Sequence, residues 1–267
     1  MSTQAIESHT APRSGLRWWK EALAILAFYA VYSSVRNQFG SEAVHPGEAL
    51  ANARTVIDWE RAMGLFFEES MQAWFLGAEW FIKFWNVFYG TFHFVVTAVA
   101  LILLFRRDPG RYPRWRNTLA ATTALALIGF ALFPLMPPRL LNDFGAYGGR
   151  AAEFDFVDTL ADIGGLWSFD SGTMQKISNQ YAAMPSLHAA WALWSVLVLW
   201  PMLRARWLKA VVVAYPVATL FAIVVTANHY WIDAVGGAAV FGLGYALASA
   251  WEARRAAKQR PAAQKMA

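Results

Sequence analysis

Cysteine is absent from the 267-residue sequence, so neither a disulfide bond nor a thiolate nucleophile can contribute to structure or chemistry. Charged residues are also scarce, at 15% of the chain, whereas soluble domains average about 25%. So low a charge content excludes an ordinary soluble fold. The net charge of +5 comes from basic residues that border apolar segments, which gives no sign of nucleic-acid binding.

Hydrophobic and aromatic side chains are abundant instead. Hydrophobic residues form 57% of the chain, and its 14 Trp, 9 Tyr and 19 Phe residues are typical of aromatic belts at a membrane interface. Six apolar stretches approach the roughly 20 residues that a helix needs to cross a bilayer. They lie at 20–38, 82–105, 117–135, 186–203, 208–226 and 231–251. We therefore predict an all-α polytopic membrane protein, a six-transmembrane-helix bundle whose extracytoplasmic loops carry short helices.

The predicted organisation has three parts. The first apolar run follows a polar segment that lacks a small-residue cleavage site, so we interpret it as a retained span. A cytoplasmic tail at 1–19 precedes the membrane domain at 20–251, whose active site draws on about 82–245. A basic cytoplasmic tail follows at 252–267. The amphipathic stretch 52–70 is predicted to lie in the outer interface.

Basic residues are distributed unevenly between alternate loops. Sixteen of the 23 Lys and Arg residues lie in the two tails, in 106–116 and in 204–209, whereas the loops 36–80 and 136–184 hold six. Lys and Arg concentrate in cytoplasmic loops, so both termini are predicted to be cytoplasmic and the two long loops to face outward. An alanine-rich, cysteine-free and basic-tailed chain suits the plasma membrane of a bacterium.

Two histidines are separated by the length of helix that two crossings require. Between His188 and His229 the chain has about 60 Å of helix at 1.5 Å per residue, enough to cross a bilayer core of roughly 30 Å twice. Both histidines are therefore predicted on the outer side. Arg139, at the outward end of the third span, is expected there too.

These residues have the chemistry of phosphoryl transfer. His229 and Asp233 are four residues apart and share a helix face, so the carboxylate can accept the Nδ1–H of the imidazole and leave Nε2 free as a nucleophile. His188 is the second group, an acid for the leaving oxygen and then a base for the acceptor. Ser186, the amides of its helical turn and Arg139 are candidates for binding phosphate oxygens. A phosphohistidine intermediate is the predicted outcome.

At these positions the chain resembles the type 2 phosphatidic acid phosphatase superfamily. The superfamily's Pro-Ser-Gly-His motif corresponds to Pro-Ser-Leu-His at 185–188, and its last motif corresponds to His229 and Asp233. The resemblance covers about residues 80–245. It implies that His229 is the nucleophile, that His188 is the acid and base, and that a six-helix bundle works without metal or cofactor.

The chain departs from that signature at two cation positions and at one glycine position. Leu132 stands where the first motif has lysine, Ile223 where the last has arginine, and Leu187 where the second has glycine. These variants are similar to those of the inositol phosphorylceramide synthase (inositolphosphotransferase) branch. That resemblance implies transfer of a phospho-headgroup from a phospholipid or lipid-linked phosphate to an alcohol.

A polar stripe runs along the second predicted span. Lys83, Asn86, Tyr89 and His93 follow one another at helical spacing among Phe, Trp and Val residues. Polar residues at membrane depth face a bundle interior or a wet cavity, or bond to another helix. We expect the stripe to line a headgroup pocket, with His93 or Lys83 partly replacing the missing cations.

Other interpretations remain open. A lipid phosphate phosphatase would use the same residues with water as the acceptor, and a non-catalytic membrane transport protein could retain the fold. The two histidines and Asp233 could ligate zinc, Ser186 could only cap its helix, and Arg139 could only reach for lipid headgroups. Asp155, Asp158 and Asp162 are expected on a solvated acidic helix face. The partners implied are a lipid substrate, an alcohol or water and the bilayer, with no protein partner.

Overall fold

Nine α-helices and two short 3-10 helices form the described fold. The computed structural model describes residues 16–38, 44–165 and 179–264. The predicted tail up to residue 15, residues 39–43 and 166–178 of the predicted outer loops, and the last three residues lie outside this range. The α-helices are α1 (Trp18–Gln38), α2 (Pro46–Ala62), α3 (Glu68–Leu76), α4 (Glu79–Arg107), α5 (Tyr112–Leu132), α6 (Thr159–Asp162), α7 (Leu187–Leu199), α8 (Arg206–Val225) and α9 (Trp231–Gln264). The 3-10 helices are Pro138–Leu140 and Trp200–Met202.

Three of the described helices are long and apolar enough to cross a membrane. They are α4, α8 and the part of α9 from Trp231 to Lys258. The apolar segment Leu187–Met202, which contains α7, is shorter. Helices α1 and α5 coincide with the first and third predicted spans but carry more polar residues. The all-α membrane fold is thereby confirmed, and the six crossings stay a prediction.

Helix α9 is the centre of the packing and lies against α5 and α7. Two glycines allow the close approach. A Cβ atom at Gly244 would lie 2.4 Å from the Thr122 hydroxyl of α5, and one at Gly237 would lie 2.3 Å from the Ser186 carbonyl oxygen before α7. Such distances exclude any side chain, so the backbone of α7 begins directly on the surface of α9.

The two ends of the bundle differ. One end is covered by α2, α6 and the connecting segments. Apolar side chains of α2 and of the connecting segments form a buried cluster there that includes Ile57, Met136 and Tyr230. At the other end, Arg114 forms an ion pair of 2.7 Å with Glu252, and Arg116 pairs with Glu21. Those pairs connect the starts of α1 and α5 with the later part of α9. The helix starts that carry the predicted catalytic residues lie at the first end.

Candidate active site

The loop between α8 and α9 positions the predicted nucleophile. Ala227 has a positive φ of 53°, and this turn of the backbone places His229 inside the bundle, where the residue is 3% exposed. Its Nδ1 atom lies 3.2 Å from Oδ2 of the fully buried Asp233. The same oxygen accepts the Tyr230 N–H at 2.9 Å, as a carboxylate at the third position of a helix does in a capping box. A carboxylate can only accept, so Nδ1 carries the proton and Nε2 presents its lone pair.

Ser186 faces that lone pair from the start of α7. Its Oγ lies 3.5 Å from Nε2 of His229 and accepts the Ala189 N–H at 3.4 Å, so this serine both caps its helix and borders the imidazole. The Ser186 N–H donates to the Asp233 carbonyl oxygen at 2.9 Å. The helix begins at Leu187, one residue later than predicted. The start of α7 therefore lies beside the His229 imidazole.

His188 is held by Tyr89 of α4. Its Nε2 lies 3.2 Å from the Tyr89 carbonyl oxygen, and its ring stacks on the Tyr89 ring with centroids 4.3 Å apart. The same carbonyl oxygen lies 3.0 Å from Nδ1 of His93. A carbonyl oxygen only accepts, so each imidazole donates one N–H to it, and His188 keeps Nδ1 for proton exchange. The rings of His188 and His229 have centroids 5.5 Å apart.

Arg139 lies beside the same loop, buried to 7% exposure. Its backbone N–H donates to the Ala227 carbonyl oxygen at 2.8 Å, and its Nε donates to Oδ1 of Asn228 at 3.1 Å. The other guanidinium nitrogens bond to Asp158 and Gln180. A buried guanidinium held on three sides is not one that reaches for lipid headgroups. Asp158 also caps α6 through the N–H groups of Leu160 and Ala161, which corrects its prediction as a solvated residue.

The polar stripe on α4 divides into three environments. Tyr89 and His93 contact His188, with the His93 and His188 centroids 4.1 Å apart. Asn86 is buried, and its amide bonds to the Thr159 side chain and to the carbonyl oxygens of Thr159 and Gly164. It thereby ties the α6 segment to α4. Lys83 is exposed on the helix surface.

A cavity of about 450 Å³ opens beside Arg139. Described residues from 139–147 and 156–162 line it together with Gln180. They include Asp143, Tyr147 and Asp158. The stripe on α4 is not among them. Within the described ranges, no group of three or more His, Asp or Glu side chains is arranged to hold a metal ion.

Sequence reasoning missed the partners of Arg139. Asn228 was passed over although it directly precedes His229, and its Nδ2 donates to the Thr226 carbonyl oxygen at 3.1 Å and so fixes the loop. Gln180 was missed because its bond with Arg139 spans 41 residues. A polar side chain directly next to a candidate nucleophile is the signal that could have identified Asn228.

The fold and the site define a helical membrane protein in which the buried imidazole of His229 and the partly buried imidazole of His188 meet a helix start at one end of the bundle. The chain belongs to the PAP2 superfamily, whose sequence profile matches residues 54–247. That match confirms the resemblance to the type 2 phosphatidic acid phosphatases.

A curated relative is similar over part of its length. The inositol phosphorylceramide synthase catalytic subunit aur1 of Schizosaccharomyces pombe is 28% identical over 156 residues, or 56% of this chain and 36% of that protein. The matched region thus covers little more than a third of the relative. No solved structure matches the chain.

Proposed function

We propose that the protein is an integral membrane phosphotransferase that moves a phospho-headgroup from a lipid donor to an alcohol through a phosphohistidine. The observation that carries the proposal is the environment of His229, whose Nδ1 lies 3.2 Å from Asp233 while its Nε2 faces Ser186. A fixed tautomer with a directed lone pair is what a histidine nucleophile requires. The name of the Schizosaccharomyces pombe relative, a synthase subunit, favours transfer over hydrolysis.

The first step forms a bond between Nε2 of His229 and phosphorus and breaks the bond from phosphorus to the lipid oxygen. His188 gives its Nδ1 proton to that oxygen, which leaves as an alcohol. Asp233 stabilises the positive charge that develops on the His229 ring. In the second step His188 takes a proton from the acceptor hydroxyl, whose oxygen attacks phosphorus and releases His229.

Arg139, the Ser186 hydroxyl and the first amides of α7 are the proposed ligands of the phosphate oxygens. Amides at a helix start and a guanidinium both favour the negative charge that the transferring group carries. The proposal needs neither metal nor cofactor. Tyr89 and His93 are assigned to the headgroup side through their contacts with His188, whereas Asn86 holds the α6 segment and Lys83 reaches the lipid headgroups.

The proposed membrane arrangement has six crossings between residues 20 and 251, cytoplasmic tails at 1–19 and 252–267, and the site at the outer face of a bacterial plasma membrane. Two observations support it. The residues of the site share one end of the bundle with α2 and α6, and the basic segment 106–116 lies at the other end, where Arg114 pairs with Glu252. An excess of basic residues marks the cytoplasmic side.

Trapping the intermediate tests the chemistry. Purified protein is incubated with donor lipids labelled in the phosphate and quenched, and an acid-labile, alkali-stable label on His229 is the expected result. Chromatography of the products then separates the acceptors, because a labelled lipid or alcohol phosphate indicates transfer and free phosphate alone indicates a phosphatase. A His229→Gln variant that keeps its cellular role would instead point to a non-catalytic transport protein.

A further inference from the structure

Three carboxyl groups bind three consecutive amides at the start of α9. The Tyr230 N–H donates to Asp233 at 2.9 Å, the Trp231 N–H to Oε1 of Glu68 at 3.2 Å, and the Ile232 N–H to Oε1 of Glu60 at 2.8 Å. The first N–H groups of a helix have no partner within the helix, and the helix dipole favours negative charge there. Two of the three groups come from outside α9 and more than 160 residues away in the chain.

Glu60 and Glu68 are fully buried, at 0% exposure each. Glu60 lies in the last turn of α2 and Glu68 is the first residue of α3. The two carboxyls therefore reach the start of α9 from two other helices. Among the described residues neither takes part in an ion pair with Lys, Arg or His. Acidic side chains are almost never fully buried without a partner.

The carboxyl groups of Glu60 and Glu68 are neighbours of each other. The carboxyl of Glu68 faces that of Glu60, and neither Oε2 atom has a hydrogen-bond partner among the described residues. Two carboxylates only accept, so this contact requires one proton between them. Burial first, and then the hydrogen bond and charge of Glu68, raise the pKa of Glu60 to about 9. The pair therefore holds that proton at neutral pH.

The start of α9 also supports His229, the proposed nucleophile. Asp233 lies one residue after Ile232, and its carboxylate orients His229. A displacement of this turn would move both the orienting carboxylate and the loop that carries the imidazole.

We propose that Glu60 and Glu68 are positioning residues which share one proton and, through the amides of Trp231 and Ile232, hold Asp233 and His229 in reactive geometry. This inference rests on the proposed function, because the geometry it protects is that of phosphoryl transfer. The titratable groups that face Glu60 are Glu68 from α3 and Asp233 and Tyr230 from the start of α9. Burial keeps the pKa of Tyr230 well above its ordinary value, which leaves the shared proton as the one of these that is lost near pH 9.

Two variants test the shared proton. Glu60→Gln keeps a carbonyl oxygen for Ile232 and supplies a permanent N–H to Glu68. The wild type is expected to lose kcat as pH rises through about 9, and this variant should not. In the double variant Glu60→Gln with Glu68→Gln, two side-chain NH₂ groups face each other, and neither can accept a hydrogen bond from the other. Its kcat should drop about tenfold or more with little change in KM, as expected when reacting groups are slightly misplaced. Glu48→Gln, an exposed substitution on the same helix α2, is the matched control and should change neither quantity.

Hydrogen exchange at Trp231 and Ile232 gives a readout that is independent of turnover. The double variant should exchange these amides faster than the wild type, and Glu48→Gln should not. Wild-type exchange rates in the double variant would overturn the proposal, as would an alkaline fall in kcat that Glu60→Gln leaves in place. If the wild type transfers no phosphoryl group from any donor, the proposed function fails, and the exchange rates alone still decide whether the two glutamates hold α9.

Discussion

His229 and Asp233 form a buried pair in which Nδ1 of the imidazole lies 3.2 Å from Oδ2 of the carboxylate. The geometry depends on the carboxylate being an acceptor for both Nδ1 and the Tyr230 N–H. Both contacts are made by one oxygen at the start of α9, so the tautomer of the imidazole and the cap of the helix depend on the same atom.

Asp233→Asn should lower kcat by a factor on the order of 10⁴, because an amide can donate to Nδ1 and so stabilise the wrong tautomer. Steady-state transfer assays with the purified variant measure this change. Asp155→Asn, at an exposed position, is the control for the loss of one negative charge. Full activity in Asp233→Asn would rule out a nucleophile oriented in this way.

Tyr89→Ala should reduce kcat more than Tyr89→Phe does. The Phe ring can keep the stack on His188, whose centroid lies 4.3 Å from that of Tyr89, whereas Ala removes it. Aromatic contacts of this kind contribute about 0.5–1.5 kcal/mol, which corresponds to a rate difference of up to roughly tenfold if the ring orientation is lost. Equal kcat values for the two variants would contradict the orienting role of the ring.

Arg139→Lys should weaken phosphate binding, since lysine cannot reproduce the fork that bonds Asn228, Asp158 and Gln180 together. Each charge-assisted hydrogen bond that is lost costs about 1.5–3 kcal/mol, and KM should rise while stability falls. Arg54→Lys serves as the comparison. Its ion pair with Glu153 is exposed, so the same exchange should leave the unfolding midpoint nearly unchanged there.

Gly237→Ala should destabilise the protein by about 1–3 kcal/mol, because the new methyl group would lie 2.3 Å from the Ser186 carbonyl oxygen and push α7 away from α9. Thermal unfolding in detergent reports the loss, and kcat should fall with it. Gly242→Ala on the same helix meets no atom within 4 Å and should leave the unfolding midpoint unchanged or slightly higher. If both variants behave alike, the close approach at Ser186 is not required.

Stability should decrease as pH rises from about 4.5 to about 9, the ordinary and the raised pKa of Glu60. Between these values the folded protein holds a proton on Glu60 that the unfolded chain has released, so each rise in pH favours unfolding, by at most about 1.4 kcal/mol per pH unit. The contribution is complete below the lower value and lost above the higher one. Unfolding midpoints of the wild type and Glu60→Gln across this range measure it, and parallel curves would contradict it.

Much of the helical framework follows from hydropathy, because long apolar runs have few alternatives to helix in a bilayer. The predicted spans 82–105 and 208–226 lie within or next to α4 and α8. Helix length predicted that His188 and His229 lie at the same end of the bundle, and their ring centroids are 5.5 Å apart. The helix start at Leu187 was misplaced by one residue because Ser186 was assigned to the helix that it caps.

Glu60 and Glu68 escaped prediction for a physical reason. An amphipathic stretch is ordinarily assumed to expose its charges, so 52–70 was expected in the outer interface. The structure breaks this stretch between α2 and α3 and buries one acid from each helix. A signal was present, since Glu60 continues the spacing of the buried Ala49, Ala53, Val56 and Ile57 on one face of α2. Its amide partner Ile232 lies 172 residues away, beyond any local pattern.

Asp158 forms an ion pair with the guanidinium of Arg139. In the proposed function, a phosphate group that binds Arg139 competes with this tethered carboxylate for the same cation. Small inorganic anions, which bring no other contacts, are at a disadvantage in that competition, whereas a lipid retained by its acyl chains is not. If Arg139 binds the phosphate oxygens as proposed, its internal ion pair with Asp158 should therefore select against free phosphate.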